Sequence, residues 1–256
     1  AAFFLKRKNP RLLRTGTGLF NSKMLLNRLY STSSKSWISR QAKDPYCKLA
    51  KANQYRARSA FKLIQINEKY RLIRRNDVVV DCGAAPGGWT QVAAELISSK
   101  GLVIGIDLLP VDPIPNAHII KGNFMRIRTQ NAIREILDGR SVNLVCSDMA
   151  PSFSGNHTAD HARSMELCES ALTFAEKVLQ PGGSFVAKFL MGGTEFEFKR
   201  KLQTIFAKVK TEKPDASRKQ STEGFFVGVG YKPVAKNEAK TEAGVDEVVI
   251  KEEINK

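Results

Sequence analysis

The sequence predicts a doubly wound α/β fold with a mostly parallel β-sheet. From Asp77 onward, short apolar runs alternate with longer amphipathic segments, as in chains where strands and helices follow each other. Several of the short runs are continuous Val, Ile and Leu, which is typical of strands that are buried on both faces. A chain of 256 residues, of which 42% are hydrophobic, is long enough for one well-buried domain with tails.

The apolar runs and their spacers define the individual elements. The predicted strands are Val78–Asp81, Leu102–Asp107, His118–Gly122, Val142–Ser147, Ser184–Phe189 and Phe225–Tyr231. The predicted helices between them are Gly88–Ser98, Thr129–Leu137, Asp160–Leu179 and Thr194–Ala207. Asp160 is the expected N-cap of its helix, and Pro181-Gly182-Gly183 ends that helix. The last strand is expected to form a hairpin with a strand around Lys208–Glu212, antiparallel at one edge of the sheet.

The segment before the first strand, residues 44–73, is predicted to be helical after a turn at Asp44-Pro45. An apolar stripe runs through it, formed by Ala60, Phe61, Leu63, Ile64 and Leu72. The opposite face carries basic and aromatic side chains, namely Lys51, Tyr55, Arg56, Arg58 and Lys62. This segment is therefore expected to pack on the sheet with one face and to offer cations with the other.

Both ends of the chain differ in composition from the predicted domain of residues 44–233. Residues 1–43 contain ten Lys and Arg and no acidic residue, which is typical of a mitochondrial transit segment. A basic RNA-binding arm is the alternative interpretation. A second, compact segment of the same kind begins at Met24, which makes Met24 a candidate start. Residues 234–256 are interpreted as a mobile charged tail.

The predicted domain is basic and has no cysteine framework. The net charge of +16 includes +10 from residues 1–43 and −2 from residues 234–256, so residues 44–233 carry +8. This excess favours a polyanionic partner, of which nucleic acid is the commonest. The cysteines form no C-x-x-C pair, and Cys82 and Cys146 are expected to be buried thiols. No apolar run reaches the length of a membrane span.

A glycine-rich turn follows the first predicted strand, with the sequence Asp81-Cys82-Gly83-Ala84-Ala85-Pro86-Gly87-Gly88-Trp89. Ligands of open α/β sheets bind at such strand ends, and an acid that ends the next strand, Asp107, can accept hydrogen bonds from a ribose. The turn lacks the G-x-G-x-x-G spacing of dinucleotide sites and contains a proline, which removes one N–H donor. A nucleoside ligand without phosphates, such as S-adenosyl-L-methionine, fits better. A plain structural turn is the alternative.

Four sequence blocks resemble the FtsJ/RrmJ-type ribose 2′-O-methyltransferases. They are YRARSAFKL (55–63), DCGAAPGGW (81–89), SDMAP (147–151), and VAKF (186–189) together with PDASRKQSTEGFFVG (214–228). They follow each other in the order and spacing of that family. The resemblance implies a Rossmann-like methyltransferase fold that uses S-adenosyl-L-methionine. The PDASRKQSTE block is most similar to mitochondrial members, which methylate a uridine ribose of large-subunit rRNA.

The resemblance also implies the site residues. Its Lys-Asp-Lys-Glu tetrad falls on Lys62, Asp148, Lys188 and Glu223, with Lys188 as the expected general base for the ribose hydroxyl. The cofactor contacts that it implies are Pro86, Gly87, Gly88, Trp89, Asp107, Asn123 and Asp148. Asn123 stands where the family usually has an acid, but its side-chain oxygen can still accept from the adenine amine. RNA contacts are expected from Lys51, Tyr55, Arg56, Arg58, Arg218 and Lys219.

These features predict an enzyme that methylates large-subunit rRNA in the mitochondrial matrix. The rRNA could be naked or part of an assembling ribosomal subunit, and the enzyme is expected to act as a monomer. The main alternative is an rRNA-binding ribosome-assembly factor in which methylation is secondary. A base methyltransferase is disfavoured, because Asp148-Met149-Ala150-Pro151 replaces the Asn/Asp-Pro-Pro-aromatic loop. No metal site is predicted, since His157 and His161 have no third ligand near them in the sequence.

Overall fold

A computed structural model describes residue 39 and residues 41–233. The chain divides into a first unit, Ala1–Asp44, and a second unit, Pro45–Lys256. Most of the predicted transit segment and the whole predicted tail lie outside the described residues. The strands and helices of the sheet architecture belong to the second unit. Among its described helices, none is long and apolar enough to cross a membrane.

A seven-stranded sheet forms the centre of this unit, with the strand order β3-β2-β1-β4-β5-β7-β6. Neighbours from β3 to β5 are parallel, whereas β7 pairs antiparallel with both β5 and β6. The predicted α/β class and the antiparallel edge are therefore confirmed. The strands are β1 Val78–Cys82, β2 Leu102–Asp107, β3 Ala117–Lys121, β4 Val142–Ser147, β5 Leu179–Leu190, β6 Phe206–Glu212 and β7 Glu223–Tyr231.

Six helices flank the described sheet, namely α1 Pro45–Ala52, α2 Ala60–Tyr70, α3 Gly88–Leu96, α4 Ile127–Leu137, α5 His157–Val178 and α6 Glu195–Ile205. The single helical segment predicted for residues 44–73 is wrong, because the chain leaves the helix between α1 and α2. Gln54 there adopts a left-handed φ of 59°, and the Tyr55 amide returns to the Ala50 carbonyl. This break turns the chain so that Tyr55 packs on the core beside α2.

Two of the differences between predicted and observed element boundaries have a local reason. The N-cap of α5 is Asn156, whose side chain accepts from the Ala159 amide, so the expectation of Asp160 as the cap is wrong. The carboxylate of Asp160 lies in the first helical turn and accepts from the preceding loop instead. Strand β5 begins at Leu179 rather than Ser184, because Leu179 already pairs with Val142 of β4 ahead of a register shift.

The core is divided between the two faces of the sheet. Along β1, Val78, Val80 and Cys82 contact the cluster beneath α4, α5 and α6, whereas Val79 contacts the cluster beneath α2 and α3. Cys82 and Cys146 are fully buried, one on each face, as expected. Because β1, β2, β4 and β5 run parallel, their carboxyl ends meet at one edge of the sheet. Ligands of such sheets bind at that edge.

Candidate active site

Four charged side chains converge at the carboxyl edge of the sheet. Lys62 Nζ lies 2.8 Å from both carboxylate oxygens of Glu223. Lys188 Nζ lies 3.0 Å from Asp148 Oδ1 and also donates to the main-chain carbonyl of Asp148 at 2.6 Å. A distance of 3.9 Å from Lys62 Nζ to Asp148 Oδ1 joins the two pairs. Residues that are far apart in the sequence thus form one chain of alternating charges.

The topology explains why these four residues meet. Asp148 directly follows β4, and Lys188 lies near the end of β5, the parallel neighbour of β4. Glu223 is the first residue of β7, and since β7 runs antiparallel to β5, its first residue pairs with Leu190 at the end of β5. Lys62 projects from α2, and its ammonium lies 5.5 Å from the ring centroid of Phe225. An antiparallel β7 is therefore what brings Glu223 to the site.

Burial sets the electrostatic character of this group. The side chains of Lys62, Asp148, Lys188 and Glu223 keep only 11%, 16%, 10% and 12% of their surface exposed. Desolvating charges is costly, and a buried ion pair is weak support for stability. In addition, Asp148 Oδ1 is buried between the two ammonium groups and takes no well-directed hydrogen bond from either of them. A costly cluster of buried charges is better explained by chemistry at the site than by folding.

A cavity of about 510 Å³ opens beside the cluster. Gly83, at the end of β1, lines it with a left-handed φ of +85°. Asp107, at the end of β2, also lines it, and its carboxylate accepts from the amides of Ala85 at 2.9 Å and Leu109 at 2.8 Å. Met149, which follows Asp148, forms another part of the wall. The cavity combines apolar walls with a fixed carboxylate, which suits a nucleoside ligand.

Comparison with known proteins identifies the family. The model of the FtsJ-like methyltransferases matches residues 55–231, which is well over half of the chain. The chain belongs to the FtsJ-like methyltransferase family. It is 46% identical over 208 residues to "Ribosomal RNA large subunit methyltransferase E" of Acinetobacter baumannii, which covers 81% of this chain and 96% of that protein. The protein of the same name from Acidiphilium cryptum is 49% identical over 208 residues, covering 81% of this chain and 91% of the relative.

A solved structure supports the same assignment. A ribosomal RNA methyltransferase from Plasmodium falciparum superposes with a TM-score of 0.63 at 30% sequence identity, covering 70% of this chain and 100% of that chain. FtsJ-like methyltransferases take the methyl group from S-adenosyl-L-methionine, in agreement with the cofactor predicted from the sequence. The cavity fits this cofactor, because it presents an acid for a ribose and apolar walls for an adenine.

Among the predicted cofactor residues of this FtsJ-like methyltransferase, Asp107 and Asn123 line the cavity. The side-chain oxygen of Asn123 accepts from the Met125 amide at 2.9 Å, so one of its two lone pairs is already used. Asp148 does not line the cavity itself, but it directly precedes Met149, which does. Ala150 and Pro151 of the SDMAP block also line the cavity, as do Ser152, Arg163 and Glu166, which sequence reasoning had not named. Of these three, only Ser152 could have been indicated, because it directly follows SDMAP.

The remaining predicted cofactor residues, Pro86 to Trp89, do not line the cavity. The indole of Trp89 is 2% exposed, donates to the Ser59 carbonyl at 2.8 Å and packs against Phe225 at a centroid distance of 5.7 Å. A cofactor contact from Trp89 would therefore need its main chain. Gly87 is the N-cap of α3, and a Cβ there would lie 3.0 Å from Arg56 Cδ. The absence of a side chain at Gly87 therefore allows the Arg56 side chain to approach closely.

The predicted RNA contacts between α1 and α2, namely Tyr55, Arg56 and Arg58, have protein partners. Arg56 donates to the carbonyls of Asp112 and Pro113, each at 2.6 Å. Arg58 donates to the Ala216 carbonyl, and the Tyr55 hydroxyl donates to Glu95 at 3.0 Å. These contacts support the loops beside the site, which does not favour direct RNA contact by Arg56, Arg58 and Tyr55.

Three predicted RNA contacts lie elsewhere on the surface. Lys51 and Lys219 are exposed, and Arg218 is half-buried. Arg218 and Lys219 belong to the loop before β7, which Lys213 Nζ holds by donating to the Ser221 carbonyl at 2.8 Å. That loop leads directly to Glu223, so Arg218 and Lys219 lie close in sequence to this tetrad residue. An RNA role for these three residues stays a prediction.

A fourth carboxyl group, Asp81, lies at the end of β1, and sequence reasoning had given it no role. It is fully buried and accepts from Thr90 Oγ1 at 2.6 Å. Burial, together with the charges of Asp148 and Asp107, raises the pKa of this carboxyl from 3.8 to about 7, although the hydrogen bond from Thr90 lowers it. The folded state therefore binds a proton that the unfolded state releases between these two pKa values.

This shift predicts a pH dependence of stability. Because the folded-state pKa of Asp81 is the higher one, the stability contributed by this group falls as the pH rises from 3.8 to about 7 and then stays low. Asp81→Asn stays neutral, so its free energy of unfolding relative to the wild type should rise by a few kcal/mol from about pH 5 to about pH 8. Urea unfolding at both pH values measures this difference. Asp138→Asn, at the exposed end of α4, is the control, and an equal rise in both variants would contradict the assignment to Asp81.

Proposed function

We propose that this FtsJ-like methyltransferase transfers a methyl group from S-adenosyl-L-methionine to a ribose 2′-hydroxyl of large-subunit rRNA. The observation that carries the proposal is the convergence of Lys62, Asp148, Lys188 and Glu223 beside the cavity. The rRNA methyltransferase names of the relatives from Acinetobacter and Acidiphilium support the substrate class. The +8 charge of residues 44–233 supports a polyanionic partner.

The bound cofactor supplies a methyl group on a positively charged sulfonium, and the protein positions the acceptor and removes its proton. In its neutral form Lys188 accepts the proton of the 2′-hydroxyl, while the oxygen takes the methyl group. Asp148 fixes the Lys188 amine through two atoms, its carboxylate and its main-chain carbonyl. Burial around Lys188 keeps competing water away from that proton transfer.

The other pair of the tetrad has a positioning role in this proposal. Glu223 holds Lys62 through both carboxylate oxygens, so the ammonium points to Asp148 and remains a fixed cation. A fixed cation at this point can contact the phosphate next to the target ribose. On the cofactor side, Asp107 is the residue to accept from the cofactor ribose, and Gly83, Asn123 and Met149 form the surrounding wall.

The position of the methyl group in the product tests the proposed reaction. We expect that large-subunit rRNA incubated with the protein and S-adenosyl-L-methionine gains one methyl per molecule on a ribose. Mass mapping of nuclease fragments, followed by nucleoside analysis, locates it, and naked rRNA and an assembling subunit are compared as substrates. A methyl on a base, or no transfer to either substrate, would contradict the proposal. No transfer together with tight rRNA binding would favour the assembly-factor alternative.

The finer assignment is that the target is a uridine of mitochondrial rRNA and that the enzyme acts as a monomer in the matrix. The block PDASRKQSTE and the acid-free composition of residues 1–43 support this location and target. Residues 1–43 fused to a reporter are expected to direct it into isolated mitochondria and to be removed there. A reporter that stays outside, or that enters without residues 1–43, would contradict the transit role. Sedimentation of the full chain measures its mass in solution and tests whether the enzyme is a monomer.

A further inference from the structure

The loop between β4 and α5 exposes a phenyl ring that packs on no part of the described core. Phe153 is 70% exposed, the largest fraction among the large apolar side chains that are exposed in the described residues. An exposed phenylalanine forgoes the favourable free energy that burial of its ring would provide. The loop itself begins at Asp148 and reaches α5 at His157. Phe153 thus lies on the segment that also carries a tetrad residue.

Hydrogen bonds on both sides of Phe153 hold this loop in place. Asp160 Oδ1 accepts from the Ser154 amide at 2.9 Å and from the Ser154 hydroxyl at 2.8 Å, and Asp160 Oδ2 accepts from the Gly155 amide at 3.2 Å. Arg163 Nη1 donates to the Ser152 carbonyl at 3.3 Å. Asp160 is buried, so the anchor is part of the folded core. The ring is therefore presented on a fixed support, which reduces the entropy lost on binding a partner.

The position of Phe153 points to the partner. Ala150, Pro151 and Ser152 line the cofactor cavity, so Phe153 is the first residue beyond the cavity wall. The side chain of Arg163, at the base of the same loop, is 51% exposed and adds a cation. A planar apolar ring next to a half-exposed guanidinium matches an unpaired nucleotide, whose base stacks and whose phosphate is anionic.

We infer that Phe153 stacks on an unpaired base of the substrate RNA next to the target nucleotide, with Arg163 at the adjoining phosphate. This inference rests on the proposed function and deepens it, because it says how the acceptor RNA is held at the rim of the cavity. Stacking is tolerant of base identity, so Phe153 positions the RNA strand and leaves the choice of sequence to other contacts.

Kinetics of Phe153→Ala and Phe153→Trp test the inference. We expect Phe153→Ala to raise KM for the RNA about tenfold, with the affinity for S-adenosyl-L-methionine and the thermal unfolding temperature unchanged. Phe153→Trp retains a stacking surface and is expected to stay within about threefold of the wild type. Leu96→Ala is the matched control, because Leu96 is 41% exposed at the far end of α3. It should leave both affinities unchanged.

Fluorescence of Phe153→Trp provides a readout that a structural role would not give. RNA is expected to quench the added indole emission, measured against the wild type, while S-adenosyl-L-methionine alone leaves it unchanged. An unchanged KM for the RNA in Phe153→Ala, or quenching by the cofactor alone, would overturn the inference. A wild type that transfers no methyl would defeat the proposed function instead, and quenching by RNA would still report stacking at Phe153.

Discussion

Replacement of Lys188 by alanine is expected to lower the rate of methyl transfer about a thousandfold or more, because a positioned general base contributes about 10²- to 10⁴-fold. The affinity for S-adenosyl-L-methionine should change by less than about threefold, since Lys188 does not line the cavity. Single-turnover methylation measures the chemical step, and calorimetry with S-adenosyl-L-methionine measures binding. A loss of rate without a loss of cofactor affinity would assign Lys188 to proton transfer rather than to cofactor binding.

Two further variants make this result specific. Lys188→Met keeps the apolar stem that packs in β5, so a shared loss of rate in both variants points to the amine rather than to a packing defect. Lys201→Ala removes another ion-paired lysine, whose side chain is 47% exposed beside Glu169, and should retain wild-type activity. If Lys188→Ala kept more than about a tenth of the wild-type rate, the general-base role would be refuted.

Replacement of Gly83 by alanine is expected to weaken S-adenosyl-L-methionine binding roughly 5- to 150-fold. A Cβ at Gly83 would lie 2.5 Å from Met149 Cγ and 3.1 Å from the Met149 backbone, and Met149 lines the cavity. Overpacking of this kind costs about 1–3 kcal/mol, which corresponds to that loss in affinity when Met149 moves into the cavity. Calorimetric titration with S-adenosyl-L-methionine measures the change directly.

The left-handed backbone of Gly83 adds strain that must be distinguished from the clash. Alanine at a left-handed position costs roughly 1–2 kcal/mol of stability. Gly182 has a similar φ, +82° against +85° at Gly83, but a Cβ there would contact nothing within 4 Å. Gly182→Ala is therefore expected to lose stability alone and to bind the cofactor normally. Equal cofactor affinities in the two variants would contradict the assignment of Gly83 to the cavity wall.

The fold class and the members of the charged cluster were predictable from the sequence. Continuous apolar runs specify strands buried on both faces, so β2 and β4 were predicted with the bounds that the structure shows. The motif blocks named Lys62, Asp148, Lys188 and Glu223, and the structure brings these residues together. The sequence was sufficient for these predictions, because strand periodicity and family motifs each depend on residues that are close together in the chain.

Which of the named side chains are available to ligands depends on tertiary packing. Trp89 is buried against Phe225, and Arg56 is used by the carbonyls of Asp112 and Pro113, so neither side chain is free to serve as the sequence implied. The rigid presentation of Phe153 also depends on Asp160, seven residues away. The burial and the hydrogen-bond partners of a side chain are set when distant segments pack together. A local pattern of residue types does not predict those contacts.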